Sequence, residues 1–170
     1  MNLIFYYVHV NQKTFNINNP TEYYSYYRLV ILMLNASNGG YATVAEWKLF
    51  GNPINSALSA FNNNNSGITT TYPNILEFPP TGLSVNGTTT LSNLAYGNGP
   101  YTASASDTYS TSYAFQAFDK SINNANNYWQ CNANRFNTTT GNFAFTVNTL
   151  ISGNTYNGEW IKLQLPYAIV

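Results

Sequence analysis

Apolar residues gather in this chain in short runs, and several of these alternate with polar residues at period two. In residues 159–165, EWIKLQL, Ile161, Leu163 and Leu165 fall on one side while Lys162 and Gln164 fall on the other. That is the pattern of a strand with one face against a core. In residues 24–34 both sets are apolar, Leu29, Ile31 and Met33 against Val30, Leu32 and Leu34. A central strand covered on both faces requires this. The same reasoning predicts strands at 3–10, 13–17, 43–50, 101–106 and 142–147. Between them lie clusters of Asn, Gly, Pro and Ser that suit turns. Apolar stripes at helical spacing are nearly absent, and the one short helical candidate is 113–119, YAFQAFD. Many short strands separated by turn residues predict an all-β sandwich or jelly roll.

The pattern lapses at Asn52. From there to Gly99 the chain runs through NPINSALSAFNNNNSGITTT, a Pro-Pro pair and repeated Thr, with little alternation. Composition marks 52–99 as a spacer. Its apolar residues Ile75, Leu76, Phe78 and Leu83 imply that it lies along a neighbouring surface.

Composition then removes several classes of function. Charged residues are 7% of the 170, aromatics 16%, and six basic side chains balance six acidic ones. Nucleic-acid affinity draws on clustered Lys and Arg that displace counterions, and here the basic residues are scattered, so no nucleic-acid role is expected. No apolar run approaches the ~20 residues of a membrane-spanning helix. The N-terminal MNLIFYYVHV lacks the basic flank and small-residue cleavage site of a signal peptide. One cysteine, Cys131, excludes a disulfide framework within the chain. Cys131 and the single histidine, His9, read as half-buried packing or loop residues rather than as nucleophile and base. The carboxylates Asp107, Asp119, Glu22, Glu46, Glu77 and Glu159 sit in no recognisable catalytic motif, and a non-enzymatic protein is expected.

Two segments carry a resemblance. SYYRLVILMLNASNGGYATVAEWKLFGNP (25–53) resembles the closing half of a discoidin-like domain, the coagulation factor 5/8 type C or galactose-binding-like family. YTASASDTYSTSYAFQAFDKSINNANNYWQ (101–130), followed by GEWIKLQLPYAIV, resembles the opening half of the same family. The variety it looks most like occurs in tandem copies in large DNA viruses of algae and protists. The order is reversed: 1–51 is similar to the end of one repeat, 52–99 to the spacer and 100–170 to the start of the next. The resemblance therefore implies a galactose-binding-like jelly-roll β-sandwich that is either incomplete or circularly permuted.

What the family does sets further expectations. Many members hold a structural Ca²⁺ at the loop after the A-F-D segment, which carries over to Asp119, with Glu46 of the final strand completing the site. Ca²⁺ takes six to eight oxygen ligands, which an Asn-rich loop can supply. Lys120 departs from the family's usual Gly and is compatible with a cation only if it points away. Glycan binding is the family's common role, and the resemblance places candidate contacts near the A-F-D loop at Tyr109, Tyr113, Tyr128, Asn132, Asn134 and Arg135. Arg28, on a strand between apolar neighbours, is expected to pair with a carboxylate. Trp129 and Trp160 are expected to pack on the core. The implied function is adhesion to a glycan or cell-surface ligand, at a virion or extracellular surface. The alternatives are a structural virion protein that contacts capsid components or its own copies, and a carbohydrate-binding appendage of a larger hydrolase.

Overall fold

The computed structural model describes residues 2–5, 14–16, 22–35, 40–53, 75–121, 127–146, 148–151 and 153–170. These residues are nearly all β, in a sandwich-like arrangement without an α-helix. In chain order the strands are β1 (Asn2–Phe5), β2 (Tyr24–Ile31), β3 (Thr43–Val44), β4 (Leu49–Gly51), β5 (Leu76–Phe78), β6 (Gly87–Leu91), β7 (Gly99–Ala105), β8 (Trp129–Gln130), β9 (Asn148–Ile151), β10 (Asn154–Asn157) and β11 (Glu159–Ile169). A 3-10 helix occupies Ala114–Phe118.

One five-stranded sheet, in the order β1-β2-β11-β7-β6, organises the molecule. Its centre is β11, antiparallel to β2 with Ile161 opposite Leu29 and to β7 with Leu163 opposite Ala103. The two halves that resemble opposite ends of a domain are thus hydrogen-bonded to each other as neighbouring strands. Backbone bonds between Asn52 and Val170, at 2.8 and 2.9 Å, tie the end of the first half to the end of the second.

The alternation in β11 decides which face is covered. Glu159, Ile161, Leu163 and Leu165 are buried while Trp160, Lys162 and Gln164 are half-buried on the other side. Tyr27, Ile31, Tyr101 and Ala103 extend the inner face. Over it lies a second layer made of short antiparallel pairs, β3 with β8 and β4 with β5, and of the 3-10 helix. This layer contributes Leu49, Leu76, Phe78, Phe118 and Trp129 to the core. Burial of such side chains stabilises by roughly 1.5–3 kcal/mol each, so the second layer is what makes the sheet's apolar face tenable.

Several expectations need correction. The stretch 52–99 is more than spacer in its described part: β5 pairs with β4, and β6 forms an edge of the main sheet against β7. β-branched Thr88, Thr89 and Thr90 suit a pleated surface, and a reading that weighed only Pro, Gly and polarity hid the strand. The predicted strand 43–50 is two strands, because the chain leaves the ladder so that the Trp47 N–H can donate to the Ala117 carbonyl at 2.7 Å. Within the predicted strand 142–147, the described residues 142–146 form only isolated bridges, Met33 to Asn142 and Phe136 to Phe143, and a strand begins instead at Asn148. The helical candidate 113–119 is one 3-10 turn rather than an α-helix. In β2, Leu29 is half-buried, so the strand is covered less completely than its apolar run implies. Of the predicted strands 3–10 and 13–17, only 3–5 and 14–16 lie among the described residues, the first within β1 and the second in no strand; His9 lies outside them.

Candidate functional site

The loop after β7 gathers one group of ionisable side chains. Asp107 accepts hydrogen bonds from Arg135 Nε (2.7 Å), Asn132 Nδ2 (2.7 Å), Asn132 N (3.1 Å) and its neighbour Thr108 N (2.9 Å). Its backbone carbonyl accepts from the Trp129 indole N–H at 2.9 Å. Arg135 Nε also stands 3.3 Å from Oε1 of Glu159, whose side chain is 0% exposed. The other Glu159 oxygen accepts from Ser106 Oγ. Burial works to raise the Asp107 carboxyl, but the bonds from Arg135, Asn132 and Thr108 overrule it and hold it below the ordinary value. At Glu159 burial prevails over Ser106 and Arg135, and Asp107's charge adds to it, so this carboxyl is raised. The Arg135 guanidinium also lies over the Phe145 ring, 4.7 Å from its centroid.

This network explains where the expected ligand contacts stand. Asn132 and Arg135 hold the 107–109 turn in place. Tyr109 projects from that turn, 48% exposed, with its N–H donating to the Gln130 carbonyl at 2.8 Å. Tyr113 stacks on Phe115, with ring centroids 6.3 Å apart and planes 21° apart. Tyr128 is half-buried beside Trp129, and Asn134 is exposed with φ of 64°. Cys131 is fully buried rather than half-buried; its Sγ accepts the Ala42 N–H at 3.1 Å, and burial pushes the thiol up to about 12. Such a thiol is a packing group, not a nucleophile.

The second group forms where the two halves meet. Trp47 N–H donates to Ala117 C=O, which brings Glu46 to the residues that follow the 3-10 helix. Burial, and next the charge of Asp119, raise the Glu46 carboxyl to about 7 against the weaker opposing pull of Lys48 and Lys120. Glu46 Oε2 is buried and accepts no hydrogen bond. Asp119 accepts from Ser121 N at 2.9 Å and from Asn127 Nδ2. Asn127 Oδ1 in turn accepts from Gln116 Nε2 at 3.1 Å, which leaves Gln116 Oε1 buried without a partner. Lys120 turns its ammonium to Glu77, at 2.9 Å, where Lys48 also approaches at 3.9 Å. Gly82 closes the corner, for a Cβ there would collide with the Asp119 carbonyl. Among the described residues no three His, Cys, Asp or Glu side chains group to hold a metal. A cation here would need backbone or amide oxygens besides Glu46 and Asp119.

Two functional-looking residues were not foreseen from sequence. Asp107 has no motif around it. Glu159 does carry a signal, because it shares the parity of Ile161, Leu163 and Leu165 and therefore falls on the inner face. Arg28 departs from its expected role: among the described residues it pairs with no carboxylate, and its guanidinium lies 5.6 Å from the Trp160 ring centroid. Trp129 is buried, whereas Trp160 lies on the outer face. No helix among the described residues is long and apolar enough to cross a membrane.

No family model, curated protein or solved structure matches the chain.

Proposed function

We propose that this chain is a non-enzymatic binding module of discoidin type, acting in adhesion to glycans or other cell-surface ligands. The observation that carries the reading is the set of aromatic side chains of the 107–115 loop, where exposed Tyr109 projects from a turn fixed by Asp107, Asn132 and Arg135, and half-buried Tyr113 stacks on Phe115, which packs on the core. Sugars dock on aromatic faces held rigid beside amide donors, because little entropy is then lost on binding. Saturable binding of wild-type protein to neutral glycans on an array, lost in Tyr109→Ala, is the expected result. A flat array overturns the reading.

Ca²⁺ belongs to the same proposal, as a structural ion held by Glu46 and Asp119. The buried, unpartnered Glu46 oxygen supports it, since a carboxyl raised by burial and by the charge of a second carboxylate favours a proton or a cation. Hard oxygen donors match this ion. If the Asn127 and Gln116 amides were both turned over, Asn127 would offer an oxygen on the Asp119 side and Gln116 Oε1 would gain a donor. A melting temperature that rises with Ca²⁺ and falls back with chelator is expected. No shift removes the ion from the proposal.

A structural role in a virion, through contacts with capsid components or a second copy, is the other reading. It is favoured by Phe50 and Ile75, 60% and 64% exposed, which flank the β4–β5 ladder. Neighbouring exposed apolar side chains suit an assembly contact. Copurification with capsid components together with a flat glycan array would favour it.

A further inference from the structure

The outer face of the main sheet holds a row of donors with no acceptor. Arg28 on β2 stands directly opposite Lys162 on β11, and Lys162 directly opposite Ser104 on β7. Like charges paired across strands repel, and a sheet normally interleaves an acid. None is supplied: among the described residues, neither Arg28 nor Lys162 has a carboxylate within ion-pair distance, whereas Lys48, Lys120 and Arg135 each do. Arg28 Nε and Ser104 Oγ are both buried without a hydrogen-bond partner.

Aromatic rings flank the row. Trp160 lies beneath Arg28, and Lys162 Nζ sits 5.6 Å from the Tyr26 ring centroid and 6.0 Å from that of Trp160. These faces offset part of the repulsion. The next row along the strands is polar and uncharged: Tyr26, Gln164, Thr102 and Thr88, with the two threonine hydroxyls 2.8 Å apart. Three adjacent strands span about 10 Å. The strip from Arg28 to Ser104 therefore has the width of one or two sugar rings.

We propose that this face is a second binding surface, and that its ligand is an acidic glycan whose carboxylate or sulfate lies between Arg28 and Lys162. The guanidinium offers a planar fork and the ammonium a point charge to one anionic group. Trp160 and Tyr26 give the sugar ring an apolar edge, and Gln164, Thr102 and Thr88 meet its hydroxyls. Two cations flanked by hydroxyl and amide groups favour a singly charged sugar over nucleic acid, whose binding rests on many phosphate contacts. The surface uses none of the loop tyrosines, so it stands or falls apart from the 107–115 loop.

The test is a calorimetric titration of the full chain with a galacturonate tetrasaccharide, which carries carboxylates, and with a heparin-derived tetrasaccharide, which carries sulfates. A neutral tetrasaccharide of similar length serves as reference. Binding of at least one acidic probe is expected, weakening as salt rises and tenfold or more tighter than the neutral one. Which acidic probe binds tells carboxylate from sulfate. Lys162→Gln should lose at least tenfold in affinity and Lys162→Arg should restore most of it. Lys48→Gln, with the same change in charge away from this face, should bind as the wild type does. Tyr109→Ala should also bind the acidic probe normally, so a failure of the loop site would not be mistaken for a failure here. Absence of binding by both acidic probes, equal loss in Lys48→Gln, or no loss in Lys162→Gln overturns the proposal. Equal binding of a poly-glutamate peptide, lost with Lys162→Gln, also overturns it in favour of an acidic protein partner.

Discussion

Two pairs of carboxylates are withdrawn from water in this molecule, and they are balanced in different ways. Asp107 and Glu159 close on Arg135, at 2.7 and 3.3 Å, so their charge is answered from within the fold. Glu46 and Asp119 share a corner whose nearby ammoniums, those of Lys48 and Lys120, both turn to Glu77. The first group is complete in charge, because Arg135 faces both carboxylates, although the buried Glu159 Oε1 accepts no hydrogen bond. The second has a buried oxygen, Glu46 Oε2, that accepts none and has no cation within ion-pair distance among the described residues. A paired charge is held by its counter-ion, whereas an unpaired carboxylate tends to take up a proton or a cation. The same chemistry therefore serves as a structural clamp in one place and as a candidate ion site in the other.

Removing the cation from the complete group is the most disruptive change expected. Arg135→Met would leave Glu159, fully buried, and Asp107, 13% exposed, facing each other without a counter-charge. Breaking one partner of a buried ion pair costs about 3–5 kcal/mol. Denaturant unfolding should show a fall in midpoint with the slope preserved. If stability changes by less than about 1 kcal/mol, a magnitude typical of exposed pairs, the clamp reading is wrong. Glu159→Gln is the milder version. It keeps an acceptor for Ser106 and removes the carboxyl that burial raises, so a loss on the order of 1 kcal/mol is expected.

How far the sequence announced these groups differs in the same way. Glu159 is legible, since strict alternation through 159–165 puts it with the core residues. What neutralises it is not legible: Arg135 comes from a loop whose position depends on Trp129, Asn132 and Asp107 meeting in space. Alternation shows which face of β2 and of β11 is covered, but not that the two strands are neighbours in one sheet, because parity names a face and not a partner. The approach of Glu46 to Asp119 was reachable only through the family resemblance, because the two residues share no periodicity or spacing. Strands β5 and β6 escaped notice in 52–99 because three consecutive Thr read as polar filler, although β-branching makes them good strand residues. The Phe143 and Phe145 alternation misled in the opposite sense. Phe143 packs edge-on to Phe136 at 5.3 Å between ring centroids, and Phe145 covers Arg135, so the pattern serves ring packing and not a ladder.

The incomplete group is probed by pH and metal together. With chelator present, a Glu46 carboxyl at about 7 against an ordinary 4.5 means the folded state binds its proton more tightly than the unfolded state does. That contribution is fully present below pH 4.5 and is lost as pH rises through 7. The chelated wild type should therefore melt lower at pH 8 than at pH 5, and Ca²⁺ should recover part of the difference at pH 8. Glu46→Gln should flatten the pH dependence and abolish the Ca²⁺ response. A wild-type and a Glu46→Gln profile of the same slope would mean that the corner is as self-sufficient as the Asp107 group.

The smallest effect on stability is expected from Tyr109→Ala, and it separates the scaffold from what the scaffold presents. The Tyr109 ring is exposed, and its backbone bond to Gln130 survives truncation, so stability should stay within about 0.5 kcal/mol of wild type. If the loop binds glycans as proposed, affinity for neutral glycans should nevertheless fall, because the Asp107 network holds that ring in place. The two residues can then be ranked by mechanism: Arg135→Met lowers binding and stability together, Tyr109→Ala lowers binding alone. A Tyr109→Ala protein that melts several degrees lower would show that the ring packs on the network rather than projecting from it, and the distinction between clamp and contact surface would have to be redrawn.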